Sequence, residues 1–205
     1  MEALRGDWEG QVDAAMGVSP FAIELSALSE DELDSLEEYL SAQPTLPFRY
    51  VSVHGPSKAR RLPEDELVAR LARFAVRADA VVMHPDTIDD PTAYRQLGHK
   101  LVLENMDARK ETGRTIVELE PLFAELPDAG FCFDIAHAWS IDGDMTVSEE
   151  LLDAFHERLG QVHVSSLTSE LRHVPLTEVH RELFRPVLQR CLDVPWILEA
   201  PLRPT

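Results

Sequence analysis

Phe131-Cys132-Phe133-Asp134-Ile135-Ala136-His137 is an apolar, aromatic run that ends in a carboxylate, with an imidazole three residues later. A run without polar alternation reads as a strand covered on both faces, as in a parallel sheet. An acid at the end of such a strand is costly to desolvate unless it has a partner. The same pattern recurs in both directions along the chain. Upstream lie Phe21-Ala22-Ile23-Glu24-Leu25, Arg49-Tyr50-Val51-Ser52-Val53-His54, Ala80-Val81-Val82-Met83-His84 and Leu101-Val102-Leu103-Glu104; downstream lie Gln161-Val162-His163-Val164 and Pro195-Trp196-Ile197-Leu198-Glu199.

Helical signals fill the intervals. Ser29-Glu30-Asp31-Glu32 reads as a capping box ahead of Leu33, Leu36 and Leu40, and Thr115–Glu118 and Thr146–Glu149 have the same form. Pro63 opens a helix with Leu67, Leu71 and Phe74 on one face, and a last helix is expected over Glu178–Cys191, kinked or shortened at Pro186. Strand and helix alternating this often define an α/β fold, either an open doubly wound sheet or a closed β/α barrel. No linker or low-complexity tract interrupts the chain, so one domain over residues 1–205 is expected.

Composition narrows the class. The 44% of hydrophobic residues is enough for a core and argues against disorder, and no apolar run reaches the ~20 residues of a membrane helix. No secretory signal is visible at the N-terminus, and two cysteines, Cys132 and Cys191, make no disulfide framework, so a cytoplasmic protein is expected. A net charge of −18 disfavours a protein that grips nucleic acid mainly by charge.

The decisive feature is where the polar residues fall. His54, His84, Glu104, Asp134 with His137, His163 and Glu199 all stand at the ends of consecutive strands. One strand-end histidine is ordinarily a hydrogen-bonded structural residue. Six strands in a row ending this way favour a barrel, which gathers all such ends at one mouth. Mixed His/Asp/Glu ligation suits Zn²⁺, Mn²⁺ or Fe²⁺. The other histidines, His99, His156 and His180, read as solvated, and the acidic stretch Glu30–Glu38 as an exposed face. Cys132 reads as core; Trp139 as a sugar-stacking ring or a cap on the barrel; and Lys58, Arg60 and Arg61 as a solvated loop rather than a phosphate site.

Val53-His54-Gly55-Pro56, Val82-Met83-His84-Pro85, Leu103-Glu104-Asn105-Met106, Phe133-Asp134-Ile135-Ala136-His137-Ala138, Val162-His163-Val164 and Leu198-Glu199-Ala200-Pro201 occur in the order found in xylose-isomerase-like TIM barrels. The chain resembles that superfamily over residues 21–202. The group includes sugar phosphate isomerases and epimerases and the endonuclease IV type of abasic-site nuclease.

The resemblance implies a β/α barrel, here shortened to seven recognisable strands. It also implies that Glu104, Asp134, His163 and Glu199 hold one divalent metal, that His54 and His84 join Glu104 around another, and that His137 and His173 contribute to a third. Leu171 stands where the third set normally has an acid, and Ser165 and Ser166 replace an Asn/Asp-containing stretch.

With one metal, the implied reaction is isomerisation or epimerisation of a small sugar-like substrate. Glu104 and Glu199 would move the proton beside a carbonyl, and His137 would orient the substrate. With two or three metals, phosphodiester hydrolysis becomes the alternative. A barrel that binds metal or ligand without turnover is the non-enzymatic alternative. Oligomeric state is not legible.

Overall fold

The structure, a computed structural model, describes residues 4–42, 45–58 and 60–200. Its centre is a parallel sheet of seven strands: β1 (Ala22–Ser26), β2 (Tyr50–His54), β3 (Ala80–Met83), β4 (Leu101–Glu104), β5 (Gly130–Asp134), β6 (Leu159–Val164) and β9 (Trp196–Leu198). They pair in chain order and curl into a nearly closed barrel. A two-residue hairpin, β7 (Ser166–Leu167) with β8 (His173–Val174), stands apart from it. Helices α1 (Trp8–Met16), α2 (Leu33–Ala42), α3 (Glu64–Ala75), α4 (Pro91–Tyr94), α5 (Ile116–Glu125), α6 (Ile135–Asp142), α7 (Thr146–Phe155) and α8 (Glu178–Leu188) alternate with the strands. All seven strands anticipated from the sequence are present. Pro201, the last residue of the Leu198–Pro201 motif, lies outside the described residues.

Side-chain parity splits each strand between two environments, because successive residues point to opposite faces. Ile23, Leu25, Val51, Val53, Val81, Met83, Leu101, Leu103, Phe131, Phe133 and Val162 join the core beneath the helices. That core also contains Leu33, Leu36, Leu67, Leu71, Phe74, Leu119, Phe123, Leu151 and Phe184. The alternate positions form a separate, smaller cluster of Ala80, Val82, Val102 and Cys132 with Tyr50 against it. The outer layer therefore carries most of the apolar burial. The lumen is narrow, filled by small or polar side chains.

The seam between β1 and β9 is not joined by a strand ladder among the described residues, although β9 returns alongside β1. A cavity of ≈ 680 Å³ lies there, lined by Val18, Phe21, Ile23, Trp196 and Leu198 among others. It marks where the shortened barrel stops short of closure.

Local expectations hold unevenly. Ser29 makes the capping box: its backbone N–H donates to Glu32 Oε2 at 2.8 Å, and its hydroxyl accepts from Asp31 N. The other two boxes do not form. Thr115 makes no side-chain cap, because Glu118 instead accepts from Arg114 N at 2.7 Å. Thr146 lies inside α7, which is entered through Met145 at φ 72°, with Asp144 and Asp142 accepting from the first free N–H groups. The final helix ends at Leu188, and Gln189–Cys191 tighten into a 3₁₀ turn.

Glu30 also departs from the exposed acidic face. It is buried and accepts from the backbone N–H groups of Arg61 and Leu62 at 2.9–3.1 Å. Arg60 and Arg61 pair with Glu30, and Arg61 also with Asp31, so these two cations brace the β2–α3 loop rather than lying free in solvent.

Phe131 is fully buried on the outer face, 5.5 Å from the Phe155 ring and 6.3 Å from Phe123. Phe131→Ala is expected to cost about 3–5 kcal/mol through lost transfer energy and a residual cavity. Urea unfolding followed by circular dichroism measures it, and a loss under about 1 kcal/mol would contradict this packing.

Candidate metal centre

Parallel strands carry their C-terminal ends to one face, so the strand-end residues converge. Glu104 is the meeting point. Its side chain is fully buried at the end of β4. Oε2 lies 3.1 Å from His54 Nε2 and 3.3 Å from His84 Nε2, while Oε1 lies 3.2 Å from His163 Nδ1 and 3.3 Å from His137 Nδ1. The two carboxylate oxygens thus face two different sets of imidazoles.

Three overlapping groups have ligand atoms within 4.8 Å of one another: His54, His84 and Glu104; Glu104, Asp134, His163 and Glu199; and Asp134, His137, His173 and Glu199. These contain all eight residues singled out from the sequence. The first two are the sets the resemblance implied. The third differs in its acids. Leu171 sits at φ 55° in the turn between β7 and β8 and supplies no carboxylate, so the group is completed by Asp134 and Glu199.

Local geometry explains why these residue types stand where they do. Asp134 caps α6, with Oδ1 accepting from His137 N at 2.7 Å. Asn105 clamps the end of β5, donating from Nδ2 to the Asp134 carbonyl at 2.9 Å and accepting from Asp134 N at 2.8 Å. A Cβ at Gly55, next to His54, would come within 2.3 Å of Met83 Sδ, so the buried Met83 side chain would have to shift to admit it.

Several imidazoles are held from behind. His54 Nδ1 donates to the Gly55 carbonyl at 2.8 Å and His137 Nδ1 to the Asn105 carbonyl at 2.9 Å. Nε2 of each turns toward the site, facing Glu104 and His173 respectively. His173 Nδ1 contacts Ser165 Oγ at 2.8 Å. His137 Nε2 and His173 Nε2 approach to 3.2 Å.

The charge balance fits a cation. Asp134 Oδ2 and Glu199 Oε2 are buried and lack any hydrogen-bond partner. Burial, with Glu104 and Asp134 close by, pushes the Glu199 carboxyl well above the usual range. Glu104 falls well below that range: burial opposes the charge, but contacts from His163, His54 and His84 outweigh it. Burial also opposes charge on His163, which contacts with Cys132, Glu24 and Glu104 nevertheless raise well above the ordinary imidazole value. His84 and His173 are lowered by burial. Converging imidazoles and carboxylates with orphaned oxygens make a donor set suited to Zn²⁺, Mn²⁺ or Fe²⁺.

Several residues near the site were missed in the sequence. Glu24, on β1, is buried in the lumen; it accepts from Ser52 Oγ and Gln161 Nε2, each at 2.8 Å, and its Oε2 lies 3.3 Å from His163 Nε2. These contacts hold its carboxyl at about 2 despite burial. Strand parity was the available signal: Glu24 pairs in register with Ser52 and alternates with the outward Ile23 and Leu25. Asp107 is also buried, clamped by Arg109 and 4.0 Å from His137 Nε2. Among the bystanders, His99 and His156 are exposed, whereas His180 is not simply solvated: it stacks on Phe184 and packs 4.3 Å from Trp139. Trp139 accordingly packs with α8. Cys132 is fully buried, and burial raises its thiol pKa.

Among the described residues, no helix is long and apolar enough to cross a membrane. Among solved structures, endonuclease IV from Thermus thermophilus aligns over 95% of this chain and 88% of its own, at 24% identity and TM-score 0.60. A xylose isomerase-like TIM barrel protein from Mycobacterium smegmatis, in complex with magnesium, aligns over 98% and 84%, at 14% identity and TM-score 0.60. The E. coli 3-keto-D-glucoside 4-epimerase aligns over 85% and 79%, at 14% identity and TM-score 0.50. At these identities the likeness is one of fold. No curated protein matches the chain significantly. The xylose isomerase-like TIM barrel family model matches residues 49–204, well over half of the sequence, and the chain belongs to that family.

Proposed function

We propose that this barrel is a metal-dependent hydrolase of a phosphate ester, built around two ion sites that share Glu104. The observation that carries the reading is the division of Glu104: Oε2 faces His54 and His84, and Oε1 faces His163 and His137. A carboxylate with one oxygen toward each donor set would suit two ions held side by side. His54, His84 and Glu104 would hold one ion, and Glu104, Asp134, His163 and Glu199 the other. Such ions supply an acidified water and offset the charge on the attacked phosphate.

The chain's own groups have separable roles. Glu104 keeps the two donor sets in register. Glu199, half-buried at the end of the array, lies 3.4 Å from His173 Nδ1 and 3.6 Å from His163 Nδ1, placed to hold or pass a proton at the mouth. His137 and His173 bring their Nε2 atoms to 3.2 Å of one another, where with Asp134 and Glu199 they would form a further donor set beside the first two. A small phosphate ester suits the surface better than a duplex, since the net charge is −18 and the mouth cations Arg60, Arg61, Arg109 and Lys110 are paired with acids.

A second reading, sugar isomerisation or epimerisation, draws on the tetrad alone. His163 Nδ1 gathers Glu104 at 3.2 Å, Glu199 at 3.6 Å and Asp134 at 4.0 Å, so one ion with two glutamates for proton transfer can be built there without His54 and His84.

An assay of the Mn²⁺-loaded protein on bis-p-nitrophenyl phosphate tests the first reading. Hydrolysis is expected, and His84→Ala should reduce kcat by at least about 100-fold while leaving the tetrad intact. No hydrolysis, with solvent-deuterium exchange into ketoses that survives His84→Ala, would overturn it in favour of the second. Chelator treatment should abolish either activity.

Metal affinity also carries a pH dependence. His54 and His163 are raised above the ordinary imidazole value, so a cation must displace their protons. Apparent Mn²⁺ affinity is therefore expected to keep rising as the pH climbs above the ordinary imidazole range, with proton release seen by calorimetry in two buffers. A flat profile would contradict imidazole ligation.

A further inference from the structure

We propose that Glu24 is a positioning residue for His163: its carboxylate takes the Nε2 hydrogen, so that Nδ1 presents its lone pair to Glu104, Asp134 and Glu199. The proposal rests on the metal reading of the site, and nothing in the sequence motifs points to it.

The argument begins with the ring's two sides. Nδ1 faces the acids at the barrel mouth, at 3.2 Å from Glu104 Oε1. Nε2 faces the lumen, where Glu24 and Gln161 compete for it and the buried Cys132 thiol also lies against the ring. Glu24 Oε2 lies 3.3 Å away and accepts a hydrogen; Gln161 Nε2 lies 2.8 Å away and offers one. The Gln161 amide is fixed from outside, because Oε1 accepts from Tyr50 Oη at 2.8 Å and Nε2 donates to Glu24 Oε2 at 2.8 Å. If Gln161 prevailed, the ring's one proton would sit on Nδ1 and block the ligand position. If Glu24 prevails, Nε2 carries the hydrogen and Nδ1 is the donor.

Charge decides between them. A hydrogen bond to an ionised acceptor is about twice as strong as one between neutral groups. Glu24 is buried, with Ser52 Oγ also donating to it at 2.8 Å, so its charge is screened little and held in place. A carboxylate behind a ligating imidazole fixes the tautomer and raises the ring's basicity. Among the described site histidines, His54 and His137 are backed by neutral carbonyls, and His163 by a carboxylate.

The test compares wild type, Glu24→Gln and Ser52→Ala, the last keeping the carboxylate but removing a neighbouring hydrogen bond. Nitrogen-15 spectra of the His163 ring in metal-free protein, taken at a pH high enough that the ring carries a single proton, report which nitrogen bears it, and calorimetry reports Zn²⁺ affinity. Nε2 is expected to be protonated in wild type and in Ser52→Ala. In Glu24→Gln the proton is expected on Nδ1, with tetrad affinity reduced about 10–100-fold. An unprotonated Nε2 in wild type overturns the proposal, and this holds even if Glu24→Gln fails to fold. So does unchanged affinity in a folded Glu24→Gln protein, or an equal loss in Ser52→Ala. Absence of Zn²⁺ binding by wild type would instead sink the metal reading, whereas the proton position would still report on Glu24.

Discussion

The whole mouth of this barrel depends on one buried carboxylate, Glu104, placed between four imidazoles. A fully desolvated acid is costly on its own, and here His54, His84, His137 and His163 all lie within 3.3 Å of its two oxygens. Each imidazole is in turn set by its strand end and by what lies behind it. The Gly55 carbonyl fixes His54, the Asn105 carbonyl fixes His137, and the lumen groups around Glu24 fix His163. Rotation of any one of these three rings would leave a buried polar atom unsatisfied.

Stability and site are assigned to different faces of the same strands. Phe131 and Phe133 pack outward beneath the helices, and Cys132 and Asp134 face the lumen and mouth. The large apolar side chains can therefore support the fold while the lumen stays narrow and polar. That separation allows an unclosed seam between β1 and β9 to coexist with a compact array at the strand ends, Glu199 after β9 included.

The strands and the strand-end donors that converge at the mouth were legible because both signals are local, whereas His173 entered only through the resemblance. A buried parallel strand is an apolar run, and a polar residue that terminates it stands out. Glu24 was harder to read because it lies inside its strand, where one acid among apolar neighbours has no visible partner until β1 is set against Ser52 and across the lumen from Gln161. Glu30 was misread for a similar reason. It belongs to an acidic stretch in sequence, but its partners are backbone groups at residues 61 and 62. The absent caps at Thr115 and Thr146 show other local partners, Arg114 and the 142–145 turn, overriding a short motif. The loss of an acid at Leu171 was visible in sequence; the proximity of Asp134 and Glu199 to His137 and His173 was not.

The central claim is that Glu104 joins two cation sites. Anomalous diffraction from crystals soaked in Mn²⁺ tests it directly. Two peaks are expected about 3.5–4 Å apart, one beside His54 and His84 and one beside Asp134 and His163, with a different Glu104 oxygen toward each. A single peak within the tetrad, with His54 and His84 still hydrogen-bonded to Glu104, would contradict the account.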